Sequence, residues 1–174
     1  MKKEFIKETR HSITLNVTAG KIDSFRELEK TTGTVRVYEN GCIGVAGCLG
    51  EPDENALTEQ AKEALAFGIP YPCALEGPLE LEVDETAEII SVSEFIPAMQ
   101  SFLDRLGEMC PRFAFSNKII LSDTETEYRN SEGRHIVCKG NGFSVQLVAQ
   151  NRGSGNLFDT FSAGAERSSI LMNC

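Results

Sequence analysis

Side chains able to do chemistry are few and scattered in this sequence. There are two histidines, His11 and His135, and six cysteines, Cys42, Cys48, Cys73, Cys110, Cys138 and Cys174. A Ser/His/Asp or Cys/His site must recruit one of those imidazoles. His135 and Cys138 stand three apart in a stretch that reads as a strand, so they face opposite ways and form no dyad by themselves. Zinc sites pair Cys and His at short spacings, and the interval from Cys42 to Cys48 is too wide. No CxxC or HExxH occurs. Glu125 and Glu127 share a strand face and have the residue types of an acid/base pair, although strand carboxylates are ordinarily solvated charges. Gly140-Asn141-Gly142 lacks the third glycine and the following helix of a dinucleotide loop, and no GxxxxGK[ST] phosphate loop is present. The nucleophilic chemistry left standing is a thiol enzyme built on Cys138 or Cys42. The residues therefore assign no catalytic, cofactor-binding or metal-binding role.

Composition narrows the classes further. The 174 residues suit one domain, and 41% hydrophobic with 25% charged residues is ordinary for a globular chain with a real core. A net charge of −9 with no basic run beyond Lys2-Lys3 argues against a nucleic-acid partner. No apolar run approaches the roughly 20 residues of a bilayer span. The N-terminus is charged and polar where a signal peptide has an apolar stretch, so the expected compartment is the cytoplasm and the cysteines are expected as buried, reduced thiols.

The elements that must position these residues alternate in kind. Ile13, Leu15 and Val17 alternate with polar neighbours over 12–19, a half-buried strand. In "KIDSFRELEK" the spacing of Ile22, Phe25 and Leu28 allows a helix; the alternative, favoured because 12–19 offers a hairpin partner, is a second, bulged strand that leads to a polar turn, Lys30-Thr31-Thr32-Gly33. Val35 and Val37 then alternate into Asn40-Gly41, a tight hairpin turn, and "CIGVAGC" returns. Gly44 and Gly47 mark bulges or a close backbone approach, the bulge being commoner. Asp53 caps a helix from Glu54 to about Phe67, with Leu57, Ala61, Ala64 and Leu65 as its apolar stripe and Gly68 as its stop. Residues 69–88 form a proline-containing connection, a candidate crossover or binding loop. Ser93 caps a second helix to about Met109, with Pro97 in its first turn and Phe95, Met99, Phe102, Leu106 and Met109 on its apolar face. From Arg112 onward the pattern is strand again, with turns at Asn130–Gly133 and 151–156 and a last strand near "LFDTFSAG". Short turns between most strands predict an α+β fold: an antiparallel, hairpin-rich sheet with two main helices packed on one face.

Two stretches carry a family resemblance. "GTVRVYENGCIGVAGC" resembles the G-x-x-V-R-V-x-x-x-G-x-x-G-x-A hairpin of the TldD/PmbA (TldE) family, through Gly33, Val35, Arg36, Val37, Gly41, Gly44 and Ala46, with Asn40 in the turn. "EQAKEAL" matches the family's following helix, and Asn130, Ser131 and Gly133 match its i-x-N-S-x-G turn. The resemblance covers about residues 10–165. It divides the chain into an N-terminal extension (1–11), a TldD/PmbA-type N-terminal domain (12–165) and a C-terminal tail (166–174).

The resemblance implies a front part of a two-part zinc metalloprotease acting on unfolded peptides, often as a heterodimer. Some members carry the description of DNA gyrase modulators. The HExxxH of the catalytic part has no counterpart in this sequence, so no catalytic residue carries over and zinc is expected only beyond the matched region. The implied role is assembly, as a homo- or heterodimer with a TldD/PmbA-type subunit, and enclosure of peptide, an exposed sheet edge contributing by strand addition. The chain would then be a truncated product or a freestanding relative. The alternative class is a small-molecule or regulatory binding module, with the 69–88 loop and the glycine-rich hairpin lining a pocket.

Overall fold

A computed structural model describes residues 1–87, 90–156 and 159–168. Its frame is four long strands: β1 (Lys2–Thr18), β2 (Lys21–Glu39), β6 (Phe113–Asn130) and β7 (Arg134–Asn151). Shorter strands β3 (Cys42–Leu49), β4 (Ile69–Pro70), β5 (Leu79–Asp84) and β8 (Thr160–Ser168) extend the edges, and helices α1 (Glu54–Ala64) and α2 (Val92–Met109) complete the order. The sheet runs β4-β3-β2-β1-β6-β7-β5, with β8 also pairing β7. All pairs are antiparallel except β5 with β7. The outer side of β7 is shared, β5 lying along Arg134–Lys139 and β8 along Gly142–Gln150.

The register puts Phe5, Ile13, Leu15 and Val17 of β1 on the same face, because side chains two apart share a side. Both helices pack there, as the α+β reading expects. Leu57 and Ala61 of α1 bury Phe5, Val35 and Val37 at one corner. Phe95 and Leu103 of α2 bury Ile13, Leu15, Val17, Phe115, Ile119, Leu121, Leu147 and Ala149 at the other. Between the corners the same face of β1 carries Lys7, Thr9 and His11, so a polar band separates two apolar cores. Among the described residues no helix covers the opposite face.

The two tight hairpins follow from backbone chirality. Ala19 and Gly20, then Asn40 and Gly41, all have positive φ (51°, 84°, 52° and 74°), the primed-turn geometry that matches strand twist. Asp53 caps α1, its carboxylate accepting from the Asn55 and Ala56 amides at 3.0 and 3.1 Å. Gly68 ends the following turn of 3-10 helix (Leu65–Phe67) in the left-handed region.

Four expectations need correction. The polar turn at Lys30–Gly33 does not form, and β2 runs straight through it, paired with β1 on one side. Two β-branched threonines suit a strand, and Gly33 serves another purpose: a Cβ there would lie 2.3 Å from the Pro52 ring. Residues 1–11 are not an extension but the first half of β1, paired from Lys2 with Tyr38 and from Glu4 with Asn130. Their charges hide the alternation, because the sheet face there is held by ion pairs such as Lys3 with Glu54 at 2.7 Å. The second helix starts two residues early, at Ser91, whose hydroxyl meets the Glu94 carboxylate; Pro97 therefore falls beyond the first turn. Its buried line includes Leu103, while Phe102 and Met109 are exposed. Residues 166–168 of the expected tail belong to β8, and 169–174 lie outside the described residues.

Candidate functional site

The sequence motifs converge on one end of the sheet. The Asn40-Gly41 turn closes β2 and β3, and the Asn130–Gly133 turn closes β6 and β7; β1 begins between them. Residues 71–78 cross this end on the helix-free face, joining β4 at one edge to β5 at the other. The crossover is tied down at each step. The Tyr71 amide donates to Gly41 O at 2.8 Å, and the Tyr71 ring packs on Tyr38 with centroids 5.7 Å apart. Asn130 Nδ2 donates to Glu76 O at 3.0 Å, and Arg134 Nε donates to Gly77 O at 3.2 Å while its guanidinium meets the Glu76 carboxylate. Asn130 Oδ1 also accepts from the amides of Glu132 and Arg134 at 2.9 and 3.0 Å, which fixes the turn. Ser131 ties the turn to β1, its hydroxyl accepting from the Lys3 amide at 3.0 Å and its own amide donating to Lys3 O at 2.9 Å.

Beneath the crossover lies a cleft of about 630 Å³, lined by Glu4, Ile6, Arg36, Leu75, Tyr128 and Ile136 among others. Glu4, with a side chain 12% exposed, is its polar centre. It accepts from the Tyr38 hydroxyl and, at 2.7 Å, from the Tyr128 hydroxyl; Arg36 Nη1 stands 3.8 Å away. Burial first, then the bond to the Glu4 carboxylate, pushes both phenols above the ordinary tyrosine range. They are held as neutral donors, which makes the trio a fixed hydrogen-bonded anchor. Cys73 at the rim is likewise pushed up, chiefly by burial and then by the Glu4 charge, so its thiol is not activated.

Most of the predicted motif residues fall into two roles. Arg36, Asn130 and Gly133 border the cleft or hold its roof, Gly133 sitting against Pro78. Val35, Val37 and Ala46 face α1. Gly44 faces it too, and here the close-approach reading holds over the bulge: a Cβ on Gly44 would lie 1.9 Å from Ala61 O. Gly47 also sits in regular pairing, opposite Thr34. Sequence reasoning missed Glu4, Tyr38, Tyr128 and Arg134. Tyr38 and Tyr128 carried a usable signal, since each is an aromatic at the polar phase of an alternating strand.

The other candidate groups stay apart. His135 and Cys138 do face opposite ways; His135 lies on the helix face, 2.7 Å from Glu80 and 3.3 Å from Glu127. Glu125 and Glu127 are engaged with Lys139 and Arg129, at 3.8 and 3.0 Å. His11 sits between Glu27 at 2.7 Å and Asp123 at 3.8 Å, and the hydrogen bond to Glu27 raises its pKa. Among the described residues Cys42, Cys48, Cys73 and Cys110 are joined in no disulfide, and Cys174 lies outside the described residues. Among the described residues no three His, Cys, Asp or Glu side chains are grouped to hold a metal ion. No helix among them is long and apolar enough to cross a membrane.

This geometry defines a class: an α+β sheet domain with both helices on one face and a clamped crossover on the other. Neither protein-family models nor curated proteins show a match to the sequence. Solved structures do share the fold. A candidate modulator of a DNA gyrase from Thermotoga maritima superposes with a TM-score of 0.67 at 16% identity, over 96% of this chain and 39% of its own. TldE from Thermococcus kodakarensis gives 0.64 at 12%, over 96% and 39%. A candidate modulator of DNA gyrase from Bacteroides thetaiotaomicron gives 0.66 at 12%, over 97% and 40%. The chain thus spans about two fifths of the length of these proteins. The resemblance read from the sequence motifs is matched by a shared fold.

Proposed function

We propose that the chain is a TldD/PmbA-type N-terminal domain, non-catalytic in itself, which assembles with a protease subunit of that type and helps enclose unfolded peptide. The observation that supports this most is the superposition of 96% of the chain on part of TldE. The motif residues add to it, because Arg36, Asn130 and Gly133 meet around one crossover instead of scattering over the fold. Hydrolysis and its zinc would belong to the region of the longer proteins that this chain does not span. The test is co-purification of the chain with a full-length TldD/PmbA-type catalytic subunit. Association at about 50 µM or below is expected; failure to associate in that range would overturn the reading.

A second reading has its own observation. The cleft under residues 71–78 is lined by apolar side chains around a few fixed polar groups, as small-molecule pockets are. Native mass spectrometry of the purified chain tests it: a bound small molecule lost on Arg36→Ala supports a binding module, and a bare chain speaks against one.

A further inference from the structure

Strand β2 has two unlike halves on its outer side. Thr32–Glu39 pair with β3, whereas among the described residues Lys21–Thr31 pair with β1 alone. Thr31 O accepts from the Gly50 amide at 2.8 Å, so its backbone points outward. Backbone direction alternates along a strand, so Phe25, Glu27 and Glu29 also turn both N–H and C=O outward. The protein closes both ends of this row. Gly50 occupies Thr31, and Gln100 of α2 accepts from the Ile22 amide at 3.0 Å. Among the described residues no strand pairs with the middle, and Phe25 there is 61% exposed.

We propose that this row, Asp23 to Lys30, is the docking position for an extended peptide added antiparallel to β2, carrying basic residues on its helix-side face and acidic ones on the other. The inference rests on the peptide-enclosing role above and names where, and by what chemistry, peptide binds.

Charge selects the occupant. Glu27 and Glu29 lie on the helix face of β2, and Asp123 and Glu125 of β6 share that face on the far side of β1. Arg26 and Lys30 lie on the opposite face, the latter paired with Arg10. Arg26, Glu29 and Lys30 make no ion pair among the described residues, so their charges are available to an incoming strand. Leu28, between Arg26 and Lys30, offers an apolar contact at 39% exposure. A second copy of this chain is a poor occupant. Antiparallel self-pairing about Leu28 sets Glu27 against Glu29 and Arg26 against Lys30, and pairing about Glu27 sets that carboxylate against its own copy. Like charges directly opposite each other repel.

The probe is the synthetic peptide Glu-Lys-Val-Lys-Glu-Val, capped at both ends, which matches Lys30 back to Phe25 residue by residue. Amide hydrogen exchange of the chain, read residue by residue with peptide at about 1 mM, is the measurement. Selective slowing of the Phe25, Glu27 and Glu29 amides, by about tenfold or more, is expected. A peptide N-methylated at the residues whose N–H must face β2 should lose this effect; one methylated at the alternate residues should keep it. The Glu29→Pro variant removes an outward N–H at an edge position where proline is tolerated and should weaken binding by about tenfold while leaving the fold intact. A charge-reversed peptide giving equal protection would overturn the proposal, as would no protection by any of the peptides. Protection that appears without peptide and rises with protein concentration would also overturn it, because the occupant would then be a second copy. Loss of peptide binding with co-purification intact would sink this inference alone, whereas loss of co-purification strikes the function proposed above.

Discussion

Strand β2 is one continuous element with two kinds of outer neighbour. From Thr32 to Glu39 it is covered by β3 beside it and by α1 above, and Val35 and Val37 are fully buried. From Asp23 to Glu29 it has β1 on one side and, among the described residues, no strand on the other. Residue types follow that division. The covered half alternates valine with polar residues, while the open half carries Arg26, Glu27, Glu29 and Lys30, charges that keep an edge from pairing indiscriminately. The contrast shows that exposure along a strand is decided by what crosses its side, here the Gly50 turn and α1, and not by the strand itself.

Perturbations should separate the two halves, beginning with the largest. Gly44→Ala forces a Cβ into the Ala61 carbonyl, backbone against backbone, and should cost about 3 kcal/mol or more of stability by lifting α1 off the covered half. Denaturant melts check this, and a loss under about 1 kcal/mol would mean that α1 is not seated as described. Leu103→Ala empties a buried site in the core of α2, away from both halves, and should cost about 3 kcal/mol. Asn130→Ala removes the bonds that hold the crossover and its turn, and about 1–2 kcal/mol is expected, with faster proteolysis within 71–78. Glu29→Lys in the open half should leave the melt within about 0.5 kcal/mol of the parent.

The smallest effect is a pH dependence at the rim of the open half. His11 has a raised pKa in the folded state, from its hydrogen bond to Glu27 first and then from the Glu27 and Asp123 charges against opposing burial. A raised folded pKa stabilises most below the unfolded value near 6.5 and loses that stabilisation as pH rises through the folded value. The stability difference between the parent and His11→Gln should therefore be larger at pH 5.5 than at pH 8.5. Both carboxylate partners are well exposed, so the change should be slight.

The sequence displays local structure where local chemistry decides it. Asn40-Gly41 needs positive φ, Asp53 needs only the amides two and three residues on, and Gly68 needs the left-handed region, so each was legible. Phe5 was not, because its strand neighbours are charged and their partners are distant in sequence, as Lys3 is from Glu54. Gly33 suggested a turn, although its purpose is to admit Pro52, a contact that only the packing of the loop before α1 reveals. The candidate cleft was half legible. Arg36, Asn130 and Gly133 were found through motif spacing, but Glu4 becomes central only once β1 brings it between Tyr38 and Tyr128. The open row on β2 leaves its charges as the one local signal, since an absent neighbour marks the strand's own residues in no other way.

The most direct test of this account is residue-resolved hydrogen exchange along β2 in the chain alone. The account predicts fast exchange for the Phe25, Glu27 and Glu29 amides, and slow exchange both for the inward Arg26 and Leu28 amides and for Val35 and Val37 in the covered half. Equal protection of Phe25, Glu27 and Glu29 with Val35 and Val37 would contradict it, because the outer side of that row would already be filled.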